Sequence, residues 1–386
     1  PPRSTLFPYT TLFRSGLAFI NVSLALEEES SLYLTPFRRI IYVILPQARW
    51  GFMASFLIIF ALSIGELSIV DVLGVETLTR KIYTFIALYY QPQAGIILSL
   101  PLILITSITS LIFYYLIKKR EISVLAKNLK QTAIYNNFYE SLSKIVPFFT
   151  MFYIVSIPIL IYRCESWENL IIVYKTTSSE ICNSIFISLI TSMLVALSSF
   201  ALAWTGSKIS WFGYFLAFSM MFLALIPPSL MGIGILRIKD KIYFIEKLLS
   251  LSEYNTIIYG LFLKSLPYGV WISWIVISTI PKQLEETASL QGLDPFKRFI
   301  CLIIPLCKKG IFLSFLISFV FCIGELEISV LLASPGISTL TIRIFTLLHY
   351  GVRADVACCC IYIIILAFFS TLMLTIKPHR LFCLTK

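Results

Sequence analysis

The polar residues best placed to do chemistry run Glu286-Thr287-Ala288-Ser289-Leu290-Gln291-Gly292-Leu293-Asp294-Pro295-Phe296 and close at Ile304-Pro305. Their types suit docking rather than bond breaking. The stretch from Leu284 to Gln291 has the composition of a short helix, with Glu285 and Glu286 favourable near its positive N-terminal end and Ala288 offering a small face for close approach. Gly292 supplies a turn that a side chain would obstruct, and Asp294-Pro295 starts the next helical stretch. The same sentence occurs 259 positions earlier, where it begins at Glu27, keeps Pro36-Phe37 and ends at Leu45-Pro46. At that offset about 20 of the roughly 43 positions from Glu27 to Ile69 are identical, including Ile64-Gly65-Glu66-Leu67 against Ile323-Gly324-Glu325-Leu326, so this is an internal repeat. The earlier copy departs in two places, with Glu29 where Ala288 stands and Tyr33 where Gly292 stands.

Two carboxylates, Glu66 and Glu325, recur in the same context near the outer ends of apolar runs. A charge within a bilayer costs several kcal/mol by some measures, about 3 on insertion scales, so such residues are read first as functional. They are candidates for the wall of a translocation path, where a cation or metal chelate would suit them. The alternative is a helix-end role, with interfacial water solvating the charge. Lys264 lies within a later apolar run and either snorkels or pairs.

These residues sit in a chain of 386 residues that is 58% hydrophobic and 13% charged, with a mean hydropathy of +0.89, whereas a soluble domain carries roughly 25% charged residues. The chain belongs in a bilayer. Apolar windows of spanning length fall at 50 to 70, 95 to 117, 145 to 162, 182 to 204, 211 to 236, 255 to 280, 310 to 332 and 354 to 376. The continuous runs lack the alternation of barrel strands, so the expected fold is an all-α integral membrane bundle of about eight complete spans plus a truncated first one. Several runs contain proline, at Pro101, Pro158 and Pro227-Pro228, where kinks are expected.

The net charge of +11 does not mark a nucleic-acid binder, because Lys and Arg lie between spans. Placing the loops 37 to 49, 118 to 144, 205 to 210 and 281 to 309 and the tail from Lys377 in the cytoplasm gives that side about 18 basic residues against about 10 opposite, which the positive-inside rule favours. Six spans separate the two polar loops, so both face one compartment and the repeat is parallel. Most of the nine cysteines read as buried small hydrophobes, although Cys164 and Cys182 both fall on the outer side, where a bridge is possible. With two histidines and no Cys-x-x-Cys in a polar loop, no metal site or cofactor is expected. No phosphate-binding Gly-x-x-x-x-Gly-Lys-Ser/Thr loop occurs.

Residues Thr5 to Ser15 resemble the translation of a sequencing adapter, and Gly16 to Val22 read as the last turns of a spanning helix. The expected organisation is therefore 1–15 non-native, 16–117 a truncated first domain, 118–144 a cytoplasmic linker and 145–380 a second domain.

Glu286, Ala288, Gly292 and Pro305 resemble the EAA loop of the membrane subunits of type I ABC importers, the binding-protein-dependent permeases. The resemblance implies two fused permease domains in the bacterial inner membrane, with the loop serving as a coupling helix docked on a cytoplasmic P-loop ATPase. It implies an extracytoplasmic solute-binding protein as a second partner, no nucleic acid, and no enzymatic activity in this chain. By the same resemblance Glu27, Pro36 and Pro46 belong to the first loop. Pro335-Gly336, Thr339-Leu340-Thr341-Ile342-Arg343 and Leu348-His349-Tyr350-Gly351 look closest to the iron(III) and thiamine types, iron(III) above all. The competing expectation is a secondary transporter driven by an ion gradient.

Overall fold

A computed structural model describes residues 30, 32–35, 38, 40–44, 46, 56, 59–60, 62–89, 91–119, 155, 157–250, 252–278, 280, 282–292, 294–351 and 354–375. Among them the regular structure is entirely helical. The helices are α1 (Ser68–Val72), α2 (Leu78–Tyr83), α3 (Pro92–Lys119), α4 (Trp167–Lys208), α5 (Ser210–Leu225), α6 (Pro228–Lys241), α7 (Tyr243–Ser250), α8 (Asn255–Ser278), α9 (Lys282–Leu290), α10 (Ile304–Gly324), α11 (Glu327–Leu332), α12 (Leu340–His349) and α13 (Ala354–Thr375).

Four described segments are long and apolar enough to cross a membrane: Gln93–Ile112, Trp167–Lys208, Asn255–Ser278 and Pro295–Gly324. The expected run 182 to 204 is part of a far longer helix, α4, which spans about 60 Å at 1.5 Å per residue. It starts early because the Ser166 side chain accepts the Asn169 N–H and caps it. The run 211 to 236 is not one straight span. It bends by 104° between Leu225 and Pro228, because Ile226, preceding Pro227, is held extended and Pro228 opens a new helix. The run 310 to 332 is also displaced: the helix begins at Pro295 and ends at Gly324, where Glu325 turns extended. The expected segment 1 to 15, residues 50–55, 57–58 and 61 of the run 50 to 70, most of 145 to 162 and the linker 118 to 144 beyond Lys119 lie outside the described residues.

The core is a three-helix junction of α4, α8 and α10, which pack more extensively on one another than any other elements. Small polar residues let the backbones approach at this crossing. The Ser199 hydroxyl lies 3.1 Å from that of Ser273 and 3.4 Å from that of Ser314, so interhelical hydrogen bonds replace the lost contact with water. Above it, Ile187, Ile257, Leu261, Cys322, Ile328 and Leu332 form one cluster, and below it Phe200, Ala203, Ile277, Ile303 and Cys307 form another. Large apolar residues on the far side of α4, such as Phe186, Leu194 and Leu197, are exposed, as a lipid-facing surface requires.

Local structure recurs in both copies, at the 259-residue offset as far as the short helices and three positions further apart beyond them. A π-helical turn covers Ile40–Ile44 and another covers Phe299–Ile303. The helix breaks at Gly65-Glu66-Leu67 and again at Gly324-Glu325-Leu326, and a short helix follows each break. A turn glycine with positive φ comes next, Gly74 at 68° and Gly336 at 93°. Then a threonine caps the following helix, Thr77 accepting the Arg80 N–H and Thr339 the Ile342 N–H.

Candidate functional site

The second polar loop hangs from the core by its two ends. At its start, Glu285 of α9 forms an ion pair with Lys208, the last residue of α4, which ties the loop to the longest helix. At its end, Phe299 lies 5.0 Å from Trp204 between ring centroids, and Ile303 is fully buried in the lower cluster. Helix α9 closes with the N–H of Gln291 donating to the Thr287 carbonyl (3.1 Å) and that of Gly292 to Ser289 (3.0 Å). Gly292 then adopts a φ of +78°, and a Cβ at that position meets nothing within 4 Å. Its requirement is conformational, since L-residues resist this region by about 1–2 kcal/mol. Asp294 leads into Pro295 as the sequence suggested, its carbonyl accepting the Arg298 N–H at 2.9 Å.

The expectation for Ala288 needs correction. Its side chain is buried against the chain's own structure, so its small size serves internal packing and it does not present a face to a partner. What projects instead is Leu284, Leu290 and Phe296, the last two 86% and 72% exposed, together with the exposed Glu286. These exposed apolar side chains, on α9 and at the very start of the Pro295–Gly324 segment, form a candidate contact surface. Pro305, also exposed, stands in the first turn of α10. Of the first loop, Tyr33 is exposed and Pro46 is helical and exposed, while Glu27 and Pro36 lie outside the described residues.

The carboxylates meet where the two repeats touch. Gly65 lies beside Pro227, whose Cα would stand 3.5 Å from a Cβ there, and Leu62 packs on Met221 and Leu225. Glu66 and Glu325 are both partly buried, and Glu66 and Lys264 are close enough to act electrostatically on Glu325. Lys264, Ser265, Tyr268, Phe321 and Glu325 share the wall of a small cleft of about 10 Å³, the room of about one water. Tyr268 and Phe321 stack there with centroids 4.4 Å apart.

The residue that sequence reasoning passed over is Glu327. Its Oε1 accepts the backbone N–H of Leu67 at 2.6 Å, a buried contact between positions 260 residues apart. Its Oε2 is buried without a hydrogen-bond partner. The clue available was the repeat itself, which sets Glu327 opposite Ser68 in an otherwise matching context. A second contact joins the repeats nearby, with Asp71 held by Arg80 at 2.9 Å and approached by His349 at 3.5 Å.

No group of three or more metal-ligating side chains occurs among the described residues. Cys164 and Cys182 are both free thiols. Cys164 is buried with Cys358 and Cys359 beside the start of α4, whereas Cys182 is exposed some 20 Å further along that helix, beyond disulfide reach.

Fold and site together define a multi-pass helical membrane protein with a bent inner span, an anchored interhelical loop and a polar seam between repeated segments. No family model matches the chain. It is similar to the trehalose/maltose transport system permease protein MalG of Thermococcus litoralis, at 28% identity over 175 residues, 45% of this chain and 60% of that protein. It is also similar to the maltose/maltodextrin transport system permease proteins MalG of Vibrio vulnificus (27% over 153 residues; 39% and 51%) and Yersinia pestis (26% over 151 residues; 39% and 50%). The chain spans about half the length of the curated relatives it matches.

Proposed function

We propose that the chain is a permease subunit of an ATP-driven importer of the binding-protein-dependent type, set in the inner (plasma) membrane. The observation that carries this reading is the anchored loop: a short helix tied to the core through Lys208 and Glu285, ended by a positive-φ glycine, with Leu284, Leu290 and Phe296 turned outward. Such a loop transmits force because its base is rigid and its contact face is apolar. The similarity to MalG-type permeases supports the same reading. The partners are a pair of cytoplasmic P-loop ATPase subunits and an extracytoplasmic solute-binding protein, and ATP hydrolysis belongs to the former. The two repeated segments are halves of one parallel duplication, with both loops on the cytoplasmic side.

Glu66 and Glu325 belong to the translocation path in this reading, at the seam they share with Lys264. The substrate expectation shifts. Iron(III), suggested by the second half's sequence, has no support from the relatives, whose names specify trehalose, maltose and maltodextrin. A sugar is the first substrate to test. The test is uptake of labelled maltose and trehalose, with ferric ion as comparison, into proteoliposomes holding the chain with its ATPase and binding protein. ATP-dependent uptake of a sugar is expected. Uptake driven by a proton or sodium gradient without ATP would contradict the proposal and support a secondary transporter.

A further inference from the structure

The Glu327 contact is not explained by the permease reading as it stands. A carboxylate buried beside Leu67, Val330 and Phe345 carries a desolvation cost that a hydrophobic residue there would avoid. It is 3% exposed and spends one oxygen on a backbone N–H of the other repeat at 2.6 Å. This hydrogen bond joins the two helix breaks, Leu67 being the last residue of Gly65-Glu66-Leu67 and Glu327 the first after Gly324-Glu325-Leu326. Each break interrupts the i to i−4 ladder, so the short helices α1 and α11 can swing on it more cheaply than a continuous helix could bend. The second oxygen, Oε2, is buried without a partner beside a small cleft that Ser68, Tyr83 and Phe345 also line.

We propose that Glu327 is a gating residue of the seam: its carboxylate clips the start of α1 to the start of α11, and the outer end of the seam opens only when its hydrogen bond to Leu67 breaks. The unpartnered Oε2 makes the clip reversible. A short hydrogen bond holds the closed form, while the closed form leaves one carboxyl oxygen unsatisfied. Opening loses the first and lets water satisfy the second, so the two states stay near balance. The device is one-sided, since the position equivalent to Glu327 in the first repeat is Ser68, which lines the same cleft. The inference rests on the permease reading for its gating role, and on geometry alone for the contact.

Hydrogen exchange of the full chain in lipid nanodiscs, and of the chain co-purified with its ATPase with and without trapped ATP, tests it. Glu327→Ala should raise exchange across residues 64–70 about tenfold or more, whereas Glu327→Gln, whose carbonyl oxygen still accepts, should stay near wild type; α9 and α12 should not change in either variant. In the wild-type complex, trapped ATP should raise exchange in the same segment. Unchanged exchange at 64–70 in Glu327→Ala overturns the clip, and a rise spread through α8 and α10 makes Glu327 a packing residue. Protection that ignores ATP makes the contact a static brace and overturns the gate. If no ATPase complex forms, the permease reading and the gating role fail together, while the variants still decide the contact.

Discussion

At Ile64-Gly65-Glu66-Leu67 and at Ile323-Gly324-Glu325-Leu326 the chain breaks, restarts, turns on a glycine and is recapped by a threonine in the same order, yet the carboxylates that cross the seam stand at different positions, Asp71 towards His349 from the first copy and Glu327 towards the Leu67 N–H from the second. The ties that shape each copy are shared. In each copy the threonine two residues after the cap bonds back to the break, Thr79 to the Ile64 carbonyl at 2.7 Å and Thr341 to the Glu325 carbonyl, two positions further along its break, at 3.3 Å. The groups that reach outside each copy differ: Ser68 against Glu327, Asp71 against Val330, Tyr33 against Gly292. Duplication kept what builds the local fold and let the contacts between copies diverge, which is the pattern expected when two like elements are placed against different neighbours.

The largest test of that asymmetry is in the loops. Gly292→Val forces a β-branched residue to a φ of +78° and should lower transport tenfold or more, while Tyr33→Val, at an exposed position, should lower it less than twofold. Equal losses in the uptake assay would break the comparison. Next is the Asp71 contact, which only the first copy supplies. Asp71→Asn weakens its bonds to Arg80 and His349 and should destabilise the protein by about 1–2 kcal/mol in denaturant titration, while Val330→Ala, at the equivalent position, should show no loss of a polar tie. Smaller still, Thr79→Val should cost about 1 kcal/mol and Thr341→Val less, because the second hydrogen bond is longer; the reverse order would show that the two breaks are not built alike. The Lys208 and Glu285 pair should give a double-mutant coupling of about 1 kcal/mol or less, since Lys208 is 43% exposed, and a coupling near zero would show that packing at Phe299 alone holds the loop.

Much of this was legible from residues. The apolar runs at 95 to 117, 182 to 204, 255 to 280 and 310 to 332 fall on or overlap the four described segments able to span, and the paired Glu66 and Glu325 both stand at helix breaks. The bend at Pro227-Pro228 was legible as a proline pair, but its 104° angle was not, because a spanning window averages over a break that leaves hydropathy unchanged. Ala288 was misplaced for a different reason. Composition shows that a side chain is small, whereas which side of α9 faces the core depends on where Lys208 holds Glu285. Glu327 escaped notice because its partner is a backbone N–H, which carries no side-chain signature in a sequence.

The central claim is that the second loop docks on an ATPase. It is tested most directly by a photo-crosslinking amino acid placed at Leu290, which is 86% exposed, and in parallel at Tyr33, which is 83% exposed, in native membranes. Crosslinking of position 290 to a P-loop ATPase, stronger than at position 33 and altered by ATP, is the predicted result. Position 290 crosslinking only to lipid, with or without nucleotide, would contradict it.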